Sequence, residues 1–175
     1  MSVGFRLLLT LLKRGKKTVV KILFICWGNI CRSPMAEFVL KELVRLNHLD
    51  AQFEIASAGV STEELGNPVY PPARRMLAKH GITCSDKTAR QMNRRDYTHY
   101  DYLIGMDNLN MRYMRRFYQD DPLHKLCMLL DFTDRPGDVA DPWYTGNFEA
   151  TWTDVVEGCE GLLAYLGFTV HRHIK

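Results

Sequence analysis

The chain has 175 residues, 46% hydrophobic and 25% charged, the composition of one globular domain and not of a disordered, fibrous or membrane-spanning chain. Its formal charge of +3 is unevenly placed: residues 1–21 hold six basic residues and no acid, leaving 17 basic against 20 acidic residues elsewhere, a net −3. The body is therefore not built to hold nucleic acid.

In chain order, residues 1–18 form a leader in which an apolar stretch at 7–12 precedes Lys13, Arg14, Lys16 and Lys17. It lacks the layout and cleavage site of a secretion signal, is expected to lie outside the fold, and has the composition of a segment making weak contact with a membrane surface. Residues 19–25 (VVKILFI) are a nearly continuous β-branched apolar run, the mark of a parallel strand buried on both faces. A polar turn follows. Ser33-Pro34 then reads as a helix start, with serine as N-cap and proline in the first turn. Met35, Ala36, Val39, Leu40, Leu43 and Val44 line one side of that helix. Residues 53–58 read as a second strand ended by Gly59, 66–72 as a loop, and 73–80 as a short helix stopped by Gly81. A third strand at 100–106, a basic helix at 107–118, a fourth strand at 125–130 and a last helix at 147–166 complete the order. Trp152, Val156, Cys159, Leu163 and Leu166 share one face of the last helix. The expected fold is α/β: a single domain over 19–170, with a four-stranded parallel sheet flanked by helices on both faces, and a tail at 171–175. No element is long and apolar enough for a transmembrane segment. Ligands in such sheets bind beyond the carboxyl ends of the strands, which points to the segment directly after the first one.

That segment is Cys26-Trp27-Gly28-Asn29-Ile30-Cys31-Arg32-Ser33-Pro34, a C-x5-R skeleton between strand and helix. A tight loop entering a helix N-terminus turns successive backbone N–H groups inward, forming a nest for a tetrahedral dianion. Gly28 and Asn29 supply residues that tolerate positive φ. The same N–H groups stabilise a thiolate at Cys26. Arg32 can fold back and hold two phosphate oxygens in its planar fork, and Ser33 can donate its hydroxyl to the sulfur. A nucleophile at the floor of a phosphate site needs an acid for the departing oxygen. Asp141, in Asp141-Pro142-Trp143-Tyr144 after the fourth strand, is the candidate, with Trp143 and Tyr144 as pocket wall. Asp121-Pro122 lacks such an aromatic pair and reads as a plain turn. The five cysteines contain no C-x-x-C pair, so neither a disulfide framework nor a zinc site is expected, and they suit the reducing cytoplasm. Cys84, Cys127 and Cys159 read as core thiols. His171 and His173 form an H-x-H with no ligating residue beside it, and no metal is expected. Arg112, Arg115 and Arg116 read as a solvated helix face.

These residues together resemble the low-molecular-weight protein tyrosine phosphatase family over about residues 21–166. The shared features are C-x-G-N-x-C-R-S-P at 26–34, Ser57-Ala58-Gly59, His80-Gly81-Ile82, Ala89-Arg90-Gln91, Asp101-Tyr102 with Met106-Asp107, and Asp141-Pro142. The resemblance implies hydrolysis of phosphotyrosine in protein substrates through a cysteinyl-phosphate, without a cofactor. It implies Cys26 as nucleophile, Arg32 as phosphate binder and Asp141 as general acid and then base. It further implies that Trp27, Gly28, Ile30 and Cys31 belong to the phosphate loop, that Asn29 holds the loop's shape, and that Ser33 and His80 support it. Cys31 would trap Cys26 as a reversible disulfide. One departure stands out. The family's aromatic residue shortly after the second strand is missing from Ser61-Thr62-Glu63-Glu64-Leu65, and Trp27 is expected to supply that surface. Three alternatives share the loop. Thioredoxin-coupled arsenate reductases need a further close cysteine pair, whereas Cys84 and Cys127 lie 43 residues apart. Protein-arginine phosphatases tend to carry a small polar residue where this chain has Ile30. A phosphotyrosine-binding module without activity would drop Cys26 or Asp141.

Overall fold

The computed structural model describes residues 19–174, so the expectations for the leader at 1–18 lie outside the described residues. The elements run β1 (Val20–Cys26), α1 (Arg32–Leu46), β2 (Phe53–Gly59), α2 (Pro71–Lys79), α3 (Arg94–His99), β3 (Tyr102–Gly105), α4 (Asn108–Phe117), β4 (Leu126–Met128), α5 (Pro142–Thr145) and α6 (Phe148–Tyr165). Short 3-10 turns occupy Asp50–Gln52 and Leu129–Phe132. The strands form one parallel sheet in the order β2-β1-β3-β4.

Strand β1 explains the layering. Its side chains alternate across the sheet: Ile22, Phe24 and Cys26 enter a core with α1, α2 and α6, while Leu23 and Ile25 enter a second core with α3 and α4. Burial on both faces is why its sequence runs apolar without alternation. Because β2 and β3 flank β1 on opposite sides, the two connections diverge above its carboxyl end, and Cys26 is the last residue there.

The element boundaries differ from expectation in ways that follow from capping. Helix α2 begins at Pro71, since prolines in the first turn give up no intrahelical bond. Asp107 and Asn147 are N-caps, accepting from Asn110 N and Ala150 N, and so stand just outside α4 and α6. Strand β4 has only three residues before the chain tightens into its 3-10 turn. Helix α3 is an addition, built on a capping box in which Asn93 accepts from Arg95 N and Asp96 accepts from Asn93 N. Cys84 and Cys159 are buried, but Cys127 is only partly so. The tail is tied down: His171 N and Arg172 N donate to Asn47 Oδ1, whose amide donates to Arg172 O. Among the described residues no helix is long and apolar enough to cross a membrane.

Candidate active site

The loop after β1 is held from outside. Val60 N donates to Cys26 O at 3.0 Å, Ser61 N to Trp27 O at 3.0 Å, and Tyr70 N to Ile30 O at 2.9 Å. In a planar trans peptide the following N–H points opposite to the carbonyl. Pinning these three carbonyls outward therefore turns the N–H groups of Trp27, Gly28 and Cys31 toward the space the loop encloses. Asn29 takes the left-handed conformation, with φ 60°, whereas Gly28 does not. The glycine the loop demands lies across the sheet. A Cβ on Gly59 would stand 2.8 Å from Trp27 O and 3.3 Å from Asn29 Cβ, so at this end of β2 the loop is met by bare backbone.

Ser33 is not the N-cap. Helix α1 starts two residues earlier than expected, at Arg32, and its cap residue Cys31 makes no side-chain capping bond. Ser33 lies fully buried in the first turn, because its Oγ is engaged 3.0 Å from Cys26 Sγ and 2.9 Å from Asn29 Nδ2. Arg32 is 3% exposed and spans the cleft, with Nη1 donating to Asp107 Oδ2 at 2.6 Å and Nη2 to Asp141 Oδ2 at 2.5 Å. Burial works against its charge. The neighbouring Cys26, Asp141 and Asp107 outweigh that and hold it above the ordinary arginine value. Burial, then Cys26 and Asp141, pushes the Cys31 thiol far up, so it stays protonated at neutral pH.

Asp141 caps α5, its Oδ1 accepting from Trp143 N at 3.0 Å. Its approach is fixed from α6, where Thr151 Oγ1 donates to Ala140 O at 2.8 Å and Asp154 Oδ2 accepts from Ala140 N at 3.1 Å.

A cleft of about 150 Å³ opens over the loop, lined by Cys26, Trp27, Gly28, Ile30, Cys31 and Arg32 below and by Asp141, Trp143, Tyr144, Glu63 and Glu64 at the sides. Trp27 is braced by two partners: Nε1 donates to Glu63 Oε2 at 3.0 Å, and the ring meets Tyr113 edge-on at 5.1 Å. Trp143 packs on Tyr70 at 5.3 Å, while Tyr144 is 85% exposed at the mouth. His80 is the expected site residue that the structure places elsewhere. Its ring stacks flat on Trp152 at 3.9 Å, in the seam between α2 and α6. The His-Gly helix stop positions it there, not behind the loop.

Sequence reasoning misses Glu37 and Lys87, and gives no role to Asp107 and Ser57, which enter it only within shared motifs. Asp107 stands directly beyond β3, so the strand-end rule that found Cys26 pointed to it as well. Ser57 is a polar residue in a strand otherwise closing on the core. Glu37 and Lys87 gave no signal, because a charged residue is by default read as solvated.

A family model described as low molecular weight phosphotyrosine protein phosphatase matches residues 21–172. The low molecular weight protein-tyrosine-phosphatase YfkJ of Bacillus subtilis is 36% identical over 148 residues, covering 83% of this chain and 95% of that one. Its crystal structure matches with a TM-score of 0.83 over 86% of this chain and 96% of that one. The low molecular weight phosphotyrosine protein phosphatase of Gallus gallus is 35% identical over 150 residues, 83% of this chain and 94% of that one. A Drosophila arginine phosphatase matches structurally with a TM-score of 0.75 and 29% identity, over 83% of this chain and 97% of that one.

Proposed function

The chain belongs to the low molecular weight phosphotyrosine protein phosphatase family, and we propose that its cleft hydrolyses phosphotyrosine in proteins with Cys26, Arg32 and Asp141 as the acting residues. It is a cysteine-dependent protein-tyrosine-phosphatase. The observation that carries the assignment of residues is one arrangement: Cys26 Sγ lies under inward-turned amides with Ser33 Oγ at 3.0 Å, and Arg32, from the same loop, donates to Asp141 across the cleft.

In the first step the Cys26 thiolate attacks phosphorus and the bond to the aryl oxygen breaks. Asp141, as the acid, delivers its proton to that oxygen, because expelling a phenoxide whose conjugate acid has a pKa near 10 is costly. The amides of Trp27, Gly28 and Cys31, with the Arg32 fork, take up the charge on the transferring oxygens. In the second step Asp141 removes a proton from water, which attacks phosphorus and displaces the thiolate. The Ser33 hydroxyl stabilises that leaving sulfur. Trp27, Trp143 and Tyr144 give the cleft aromatic walls for a phenyl ring, and its depth keeps a short serine phosphate from the sulfur. A reducing cytoplasm, where Cys26 stays out of disulfides, suits this chemistry.

The arginine phosphatase among the structural neighbours makes phosphoarginine the second substrate to assay. Ile30, which lines the cleft, favours a flat phenyl ring over a guanidinium. Phosphate release from phosphotyrosine, phosphoserine and phosphoarginine peptides by one preparation tests the choice. Phosphotyrosine is expected to be fastest by a wide margin, and equal rates on phosphoserine or phosphoarginine would overturn it.

A further inference from the structure

The nucleophile and the acid are supported from different sides. Behind the loop, Asn29 donates to Ser33 and Ser57, and Ser57 donates to Glu37, with Lys87 3.6 Å from that carboxylate. The corner that carries Asp141 touches none of these and leans on α6.

The three residues before Asp141 are each held by a different element. At the start of α4, Asn108 N and Nδ2 donate to Asp138 Oδ1 at 3.0 and 2.8 Å. Val139, buried, donates its N–H to Met106 O at 2.8 Å. Ala140 is held by α6 through both of its backbone polar groups, the N–H by Asp154 Oδ2 at 3.1 Å and the carbonyl by Thr151 Oγ1 at 2.8 Å. Asp154 is 8% exposed, and its other oxygen accepts from Arg135 Nη2 at 2.8 Å. Arg135 is steadied in turn by Glu157, its Nε donating to Oε2 at 2.7 Å. One carboxylate thus closes residues 135–140 into a ring, meeting the side chain where the segment enters and the backbone where it leaves.

Catalysis changes what holds Asp141. In the structure its Oδ2 accepts from Arg32 Nη2 at 2.5 Å. A phosphoryl group in the cleft takes the Arg32 fork for its own oxygens, and an acid about to give up its proton is neutral, with no ion pair to hold it. The bond from Trp143 N to Asp141 Oδ1 lies within the corner itself and moves with it. What then fixes the corner over the cleft is the backbone that precedes it.

We propose that Asp154, aimed by Arg135, is a positioning residue for the general acid: it keeps the Asp141 corner in place while Arg32 serves the phosphoryl oxygens. The proposal rests on the reading of Asp141 as the acid. The Asp154 bond lies one peptide from Asp141, and an N–H bond to a carboxylate is roughly twice as strong as one between neutral groups. Small displacements matter here, since a misplacement of about 1 Å can cost about 10²-fold. Thr151 and Val139 keep their bonds when Asp154 is changed, so the corner loosens and is not released.

The test is a leaving-group comparison in single turnover, phenyl phosphate against dinitrophenyl phosphate. Asp154→Ala is expected to lose about tenfold on phenyl phosphate, short of the 10²–10⁴-fold of losing the acid itself, and less than about twofold on the dinitrophenyl ester. Asp154→Asn keeps an acceptor for Ala140 N and should regain most of that loss. Arg135→Met should show a smaller deficit, again on phenyl phosphate alone. A purely structural role would lower the melting temperature and slow both esters alike. In an Asp141→Asn background, Asp154→Ala should cost nothing further on phenyl phosphate, because the two residues act through one proton. A wild-type rate of Asp154→Ala on phenyl phosphate, an equal deficit on both esters, or a full further loss in the Asp141→Asn background would overturn the proposal. If Asp154→Ala does not fold, Arg135→Met decides, since that side chain is half exposed: a deficit confined to phenyl phosphate supports the proposal, and an unchanged rate refutes it. A flat response of Asp141→Asn across the two esters would instead remove the acid itself, which keeps the two failures apart.

Discussion

Two Asp-Pro corners stand at opposite ends of the sheet. Asp141, beyond the carboxyl ends of the strands, has a side chain 25% exposed, one oxygen on Arg32 and the other capping α5. Asp121, just before β4, is 5% exposed and accepts from Tyr97 OH at 2.7 Å, Lys125 N at 2.7 Å and Leu126 N at 3.0 Å. It closes a run of left-handed residues, Gln119, Asp120 and Asp121, whose φ values are 55°, 59° and 61°. Its hydrogen bonds help offset that backbone cost. The second corner is thus more than the plain turn expected from its sequence. A carboxylate saturated by neutral donors inside the protein is a fastener. One at the edge of a cleft, within reach of a substrate, can take up and give a proton there. The dipeptide is the same, and the position along the strands separates the two.

The largest effect that could break this comparison is at Asp141. Asp141→Asn should lose about 10²–10⁴-fold in single-turnover phosphorylation by phenyl phosphate. It should lose far less on a dinitrophenyl ester, whose leaving group needs no proton. A deficit independent of leaving-group pKa would remove Asp141 from the role of acid. Asp121→Ala should reverse the pattern: unfolding free energy falls by about 2–3 kcal/mol in urea titration, from stranded donors that had a charged acceptor, while kcat/KM at 25 °C changes little. A matching loss of activity would dissolve the contrast. Smallest is Tyr97→Phe, which removes one donor to Asp121 and should cost about 1 kcal/mol by the same titration.

Much of this arrangement was legible in the chain. The 19–25 run, the loop and Asp141 each carry a local signature of unbroken apolarity, of residue types at fixed spacing, or of Asp-Pro beside aromatics. What stayed hidden were pairings that only folding creates. Asp107 meets Arg32 across 75 residues, and Glu37 meets Lys87 from elements apart in the chain. Asp121 concealed its role because burial, not composition, distinguishes a fastened carboxylate from a solvated one. His80 went the other way: a familiar His-Gly pattern suggested the loop, but stacking on Trp152 claimed the ring.

The outward pinning of the loop carbonyls also sorts the backbone by its exchange with deuterated solvent. Val60, Ser61 and Tyr70 spend their amide hydrogens on the loop and should exchange slowly. The amides of Trp27, Gly28 and Cys31 face the cleft and should exchange quickly. A tetrahedral oxyanion such as vanadate would slow only this second group, so occupancy of the site becomes visible as protection along one short stretch of chain while no bond is being broken.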